Sequence, residues 1–254
     1  MRWAALGLFF MAGCVTLPSA ANLPGGTGEG AGTPSWVAPA SSPVGITGFQ
    51  PVSGGIGVLA GESANQVNDE NDPLTLAADS LGRGDDSGAA KHFERHLRTH
   101  PDQLMFRVHL ADLYLKSRRD DDAKAHYERF VADARDAGAV PQSQLVHCHT
   151  KLMEIAWRAA DRFGERLHRG IGLVVLTRQE TDDADVREEI LCKALAALLE
   201  AKELWPTHAR LNVYLAEAQD RAGNRRAAEN ARAIARNSAL PGDLTNSEWR
   251  SVQE

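Results

Sequence analysis

The chain has 254 residues, enough for one or two domains, with 43% hydrophobic and 24% charged residues. A formal net charge of −6 is modest, so a nucleic-acid partner attracted by charge is not indicated. Charges of both signs are spread over the second half, as on a solvated helical surface.

Met1-Arg2, an apolar run from Trp3 to Ala12 and then Gly13-Cys14 predict an export signal over residues 1–13. The run is too short for a membrane-crossing helix, which needs about 20 apolar residues. Met11-Ala12-Gly13-Cys14 resembles the bacterial lipobox, with Met11 where Leu is usual. The resemblance implies that Cys14 is diacylated on sulfur and becomes the mature N-terminus. Acyl chains contribute about 0.8 kcal/mol per buried methylene, so two or more anchor stably where one does not. Val15 after the Cys, in place of Asp, implies sorting to the outer membrane. The alternative is an ordinary signal peptide cut near Pro18–Ala21, with Cys14 unmodified.

Residues 14–70 then form the lipidated Cys and a tether, in which Gly and Pro make up about three residues in ten. Such a stretch buries too little apolar surface to offset its ordering entropy, and it reads as a flexible linker with a reach of about 40 Å. Trp36-Val37, Val44-Gly45-Ile46 and Gly55 to Leu59 are read as occasional apolar residues in that linker, with docking onto the body as the alternative.

A helical body is predicted over 71–240. Asp72 is a candidate N-cap with Pro73 at the first helical position. Helices follow at 74–82, 86–99, 103–117 and 120–136. Asp120-Asp121-Asp122 complements the positive end of the last of these, and Gly138 and Pro141 close it. Leu76 and Leu110, Ala77 and Ala111, Ala89 and Ala123, and Phe93 and Tyr127 each stand 34 residues apart. With Pro101 closing the first copy, this content resembles tetratricopeptide (TPR) repeats. The resemblance implies stacked antiparallel helix pairs, with small residues where two helices cross and aromatics beside them.

After this the period slips. One helix is predicted at 142–162 and a second at 165–179, where Gly170 and Gly172 make sense if another backbone packs closely. A short strand at 170–176 is the alternative. A third helix at 185–204 carries Ala194, Leu198, Ala201 and Pro206, the second half of the repeat pattern. Leu215, Ala216, Ala228 and Ala235, with Gly223 at the turn, mark a final pair. The middle, 142–204, is therefore irregular, with three helices where pairs are expected. The fold class is an all-α, tetratricopeptide-like helical-hairpin solenoid of about nine helices, with a polar tail at 241–254.

No phosphate loop, nucleophile elbow or zinc-protease pair is present, so no catalytic residue, cofactor or metal is assigned. His92, His96 and His100 share one helical stripe, but the third lies too far along the axis to converge with both others on one ion. His96 also stands at a packing position of the repeat. His147-Cys148-His149 points around a helix. Cys148 and Cys192 are read as two buried small hydrophobes, with a disulfide between them as the alternative.

The TPR resemblance implies a peptide groove on the first helices of the pairs. By position its candidates are Met105, Val108, His109, Asp112 and Lys116, and Arg210, Val213, Tyr214, Glu217 and Arg221. Chaperone-binding members hold a carboxylate with Lys and Asn where Val108, Asp112, Val213 and Glu217 stand here, so a chaperone-tail adaptor is not implied. The expected function is a non-catalytic protein-interaction scaffold. It would be lipid-anchored through Cys14 in a bacterial cell envelope, facing the periplasm at the outer membrane. Its partners would be proteins or peptides, with no small-molecule substrate. The alternatives are an unacylated periplasmic or cytosolic adaptor, and a metal-binding protein using His92 and His96.

Overall fold

Turn signals cut the body into stretches with one apolar face each, and such stretches become helices that must find partners. The computed structural model describes residues 72–137, 140–178 and 183–253. The export signal, Cys14 and the tether lie outside these residues. Ten helices follow in order: α1 Pro73–Gly82, α2 Asp86–Thr99, α3 Leu104–Lys116, α4 Asp120–Ala137, α5 Gln142–Arg158, α6 Arg162–Leu176, α7 Ala184–Leu204, α8 Ala209–Arg221, α9 Arg225–Ser238 and α10 Asn246–Gln253. There is no strand among the described residues, and 170–176 is helical. As predicted, the Asp72 carboxylate accepts the Thr75 amide at 3.1 Å and Pro73 opens α1.

Four hairpins share one turn. Gly84, Arg118, Ala160 and Gly223 each take a left-handed φ, at 74°, 59°, 56° and 77°. Behind each, an amide reaches back past the helix end: Asp85 to the Ser80 carbonyl, Arg119 to Tyr114, Asp161 to Ala156 and Asn224 to Gln219. This bond closes a helix on its own last carbonyls. The pair α5–α6 is therefore a third regular hairpin. The period slips in the link before it, not inside it.

The other kind of link recurs too. Helix α2 ends at His100-Pro101 and α7 at Trp205-Pro206, and in both the cap amide bonds the carbonyl one turn back, of His96 and Ala201. Helix α7 is thus a second-of-pair helix, as Ala194, Leu198 and Ala201 predicted. Its first-of-pair helix is α6. The same α6 is also the second helix of the α5–α6 hairpin, and it packs closely against α5 and α7. It runs parallel to α8, with Phe163 near His208 (ring centroids 4.9 Å apart) at one end and Arg178 on Glu217 (2.6 Å) at the other. One helix serving two pairs explains the odd helix of the irregular middle. It also shifts the phase of the stack, so the second helices of the first half share a side with the first helices of the second half.

Packing explains why α6 tolerates this. Leu167, Ile171, Val174 and Val175 are buried, and so are Gly164, Gly170 and Gly172. From Gly170 to Leu176 the helix carries no charge at all, while Arg162 and Arg169 keep a solvent side on its first half. A Cβ added at Gly170 would lie 2.6 Å from Leu198 Cγ and 3.3 Å from the Leu198 backbone nitrogen, the close approach expected from the sequence. We expect Gly170→Val to cost about 3 kcal/mol by overpacking the α6–α7 crossing. Gly82→Ala, with nothing within 4 Å of the new methyl, should gain up to about 1 kcal/mol. Urea midpoints of the two variants check the contrast.

The crossing positions are as the 34-residue spacing requires. Ala77, Ala89, Ala111, Ala123, Ala216 and Ala228 are buried, beside Phe93, Tyr127 and Phe130. Two boundaries differ from the sequence reading. Helix α5 ends at Arg158 rather than 162, because Ala160 takes the left-handed turn. Helix α6 starts at Arg162, because Asp161 caps it through the Gly164 amide at 2.9 Å, so Gly164 begins a helix rather than breaking one. Helix α10 corrects the count of nine: the polar tail folds into a helix against α9, α8 and α4.

Candidate functional site

Two surfaces emerge from this arrangement. The first is the groove between the parallel helices α3 and α5. Asp112, Leu115 and Lys116 face it from α3, Arg118 from the turn, and Lys151, Glu154, Trp157 and Arg158 from α5. The Asp112 carboxylate is the fixed point. It accepts the Tyr127 hydroxyl at 2.5 Å and lies 3.1 Å from His147 Nε2. Burial opposes its charge, but the His147 and Tyr127 donors outweigh burial and hold its carboxyl below the usual range. Beside it, burial pushes the Cys148 thiol up, which leaves an inert core sulfur. Trp157, 68% exposed, is the most open large apolar side chain of the described residues.

Of the groove residues expected on α3, Met105 is exposed at its start and Val108 is buried. His109 stacks near Phe93 at 6.2 Å, and burial pushes its imidazole down in pKa. Lys116 reaches Asp86 at 2.5 Å. Asp112 and Lys116 therefore border the groove, and Val108 does not.

The set expected on α8 lies elsewhere and is engaged by the chain itself. Val213 and Tyr214 are buried. Arg135, from the last turn of α4, donates to the Tyr214 hydroxyl, with its guanidinium 4.6 Å from the ring centroid. Glu217 takes both nitrogens of Arg178, at 2.8 and 2.6 Å, and Arg221 at 3.0 Å. Burial opposes the Glu217 charge, yet Arg178 and Arg221 hold its carboxyl below the usual range. Arg210 lies 3.2 Å from Glu248. The two expected sets are not brought together: one lies against α2, α4 and α5, the other against α4, α6 and α10.

Glu248 organises the second surface, and sequence reasoning missed it. Its side chain is 1% exposed and contacts Arg135 at 3.4 Å and Arg210 at 3.2 Å. It also accepts the Thr245 amide at 2.8 Å, while its own amide donates to the Thr245 hydroxyl at 3.2 Å. This is a capping box, legible as Thr245-Asn246-Ser247-Glu248. Asp136 of α4 completes the start of α10 by accepting the Ser247 amide at 2.9 Å. His149 on α5, set aside in the sequence as pointing around its helix, and His168 on α6, which that reasoning passed over, face each other with Nδ1 atoms 3.3 Å apart.

The remaining sequence candidates are accounted for locally. His96 is buried, stacks on His100 at 4.6 Å and meets Gln103 Oε1 at 2.7 Å, so its ring is committed to packing. Among the described residues no three His, Cys, Asp or Glu side chains are arranged to hold a metal ion. Cys148 is buried as expected, whereas Cys192 is exposed, and both are free thiols. No helix of the described residues is long and apolar enough to cross a membrane.

No protein-family model matches the sequence, and no curated protein matches it. Among solved structures the chain is similar to TTC0263, a thermophilic TPR protein of Thermus thermophilus. The identity is 21%, the TM-score 0.32, and the match covers 66% of this chain and 74% of that one. It is also similar to MamA, at 16% identity and a TM-score of 0.34, over 64% of this chain and 94% of that one. A second MamA structure gives 16%, 0.35, 65% and 89%. Overlaps this loose leave the architecture resting on the hairpins and turns described above.

Proposed function

We propose that this chain is a non-catalytic scaffold that offers the α3–α5 groove to protein partners at the surface of a bacterial cell envelope. The observation that carries the reading is Trp157, 68% exposed on a groove whose other side chains are mostly charged. An indole left open among fixed ion pairs loses water-exposed area only when a partner covers it, and Trp anchors of this kind dominate binding energy. Lys116 is paired with Asp86 at 2.5 Å and Arg158 with Asp120 at 2.9 Å, so the rim's charges balance and the complementary partner is a segment that brings an apolar anchor to Trp157 with charges of both signs around it. Lipid at Cys14 would confine the groove to the membrane surface and raise its effective concentration towards envelope partners. That anchor rests on Met11-Ala12-Gly13-Cys14 alone.

Cross-linking pull-down from membranes, with Trp157→Ala beside the unaltered chain, tests the groove. Loss of about 2 kcal/mol of binding, some thirtyfold in capture, is expected for the variant. Unchanged capture by a folded Trp157→Ala protein would remove the groove from the account. Mass spectrometry of the mature N-terminus tests the anchor separately. A diacylglyceryl group on Cys14 is the expected result, and an unmodified Cys14 would leave an adaptor without a membrane address.

A further inference from the structure

Bounded by α4, α5, α6, α8 and α10, and open to solvent on one side, is a pocket of about 230 Å³ that the scaffold role does not use. Its lining is two-sided. Val131, Leu152, Phe163 and Leu167 form an apolar wall, and Arg210, Lys124, His149 and His168 face the same space. His149 is 2% exposed, and its Nε2 has no hydrogen-bond partner among the described residues, although Nδ1 is spent on His168. A buried polar atom without a partner costs about 1–3 kcal/mol, so this one marks a position that a ligand atom would satisfy.

The charge of the ligand follows from the acids in the lining. Glu248 is shared between Arg135 and Arg210, two cations on one carboxylate, which leaves that end positive. Asp161 accepts the Gly164 amide and keeps its charge, and Glu128 sits at the exposed mouth with Lys124 at 3.9 Å, so the lining as a whole is balanced and the local excess of cations lies at the Glu248 end. Burial disfavours a positive charge on His149, as would a proton on His168 and as do the charges of Arg135, Arg210 and Arg178. The apolar wall then selects among anions. A volume of 230 Å³ is roughly eight water shares at ~30 Å³ each, room for a small organic molecule. An inorganic phosphate would turn unpaired oxygens onto Leu152 and Leu167, which costs binding. We propose that this cavity binds a short-chain monocarboxylate. Its carboxylate would meet His149 Nε2 and Arg210, and its alkyl chain would lie on Val131, Leu152 and Leu167.

The full chain, labelled with ¹⁵N-histidine, is titrated with sodium butyrate and separately with sodium phosphate, following the His149 and His168 imidazoles and the thermal midpoint. A saturable millimolar response to butyrate at both rings, with a rise in Tm and none with phosphate, is expected. Arg210→Gln should weaken it about tenfold, and His149→Phe, which keeps the ring volume, should abolish it. Absence of a saturable butyrate response overturns the site outright. A saturable response to phosphate instead, or an undiminished butyrate response in folded His149→Phe protein, overturns it as well. If a variant fails to fold, the butyrate and phosphate titrations of the unaltered chain decide alone.

Discussion

Replacement of Glu248 by alanine should cost the folded protein about 3–5 kcal/mol, the largest loss expected from any single polar side chain here. The reason is asymmetry. Arg210 is 34% exposed and can turn its guanidinium to water, but Arg135 is 10% exposed and cannot. Removing the carboxylate strands the Arg135 charge, and desolvation is then met by the Tyr214 hydroxyl and ring face and by the weaker pull of Glu217. The Thr245 capping box fails in the same step, which adds about 1 kcal/mol at the start of α10. Removing both charges together, as Arg135→Met with Glu248→Leu, should cost far less, since no ion is then buried alone. Urea unfolding of the two singles and the double closes the cycle. A Glu248→Ala protein within about 1 kcal/mol of the unaltered one would show that α10 is not pinned through this pair.

The second large effect is on the pH dependence of stability. Burial, with Arg210 and Lys124 nearby, pushes His168 down from its ordinary 6.5 to about 4, against a smaller opposing pull from Asp161. Its partner His149 is pushed down as well, by burial and then by the His168 and arginine charges. On acidification the unfolded chain takes up these protons first, so unfolding gains protons across that interval. Stability is therefore complete above pH 6.5 and falls between 6.5 and 4, by about 3 kcal/mol from His168 alone. Glu217 begins to act only at the lower edge of this window, and Asp112 below it. Their carboxyls lie under the ordinary values of 3.8 and 4.5, so their contribution is intact above those values and lost only as pH falls further. Denaturant midpoints measured from pH 7.5 downward should show the histidine loss first, and His168→Phe should remove its share and leave that of His149. An unchanged midpoint down to pH 4.5 would mean the two rings are not buried neutral.

Where local chemistry fixes structure, the sequence was readable. Asp72-Pro73 starts a helix, Gly84 and Gly223 carry left-handed turns, and Pro101 and Pro206 stop the helices before them. Alanines spaced for helix crossings are buried where that spacing put them. Reading failed where a residue adopted a conformation its type disfavours. Ala160 takes a left-handed φ with a Cβ in place, so nothing marked the α5–α6 turn, and Gly164 drew the boundary instead; Arg118 does the same, but the 34-residue spacing and Asp120-Asp121-Asp122 had already placed that turn. Helix α10 had a readable start in Thr245-Asn246-Ser247-Glu248, which the polar composition of the tail obscured.

The candidate site was less legible, for a physical reason. Asp112 and Lys116 were found because a repeat fixes which side of α3 faces the groove. Trp157 was missed because the period slips before α5. Pairs such as Arg135 with Glu248 stand far apart in the chain, and no short-range pattern announces them. The dual role of α6 also has no local signature beyond glycines and apolar residues on two sides of one helix. Its effect is large all the same: it turns Tyr214 and Glu217, placed in a groove by position in the repeat, into part of the protein's own interior.

In a regular solenoid each repeat touches only its neighbours. Here Arg135 of α4 reaches Tyr214 of α8 past an intervening hairpin, a contact that follows from α6 serving two pairs. A NOESY spectrum of the labelled full chain, read from the Tyr214 ring, measures it directly. Cross-peaks from the ring to the Arg135 side chain, alongside the ordinary α8–α9 contacts, are the predicted result. A complete α8–α9 pattern with no Tyr214–Arg135 cross-peak would contradict the shared helix and the arrangement built on it.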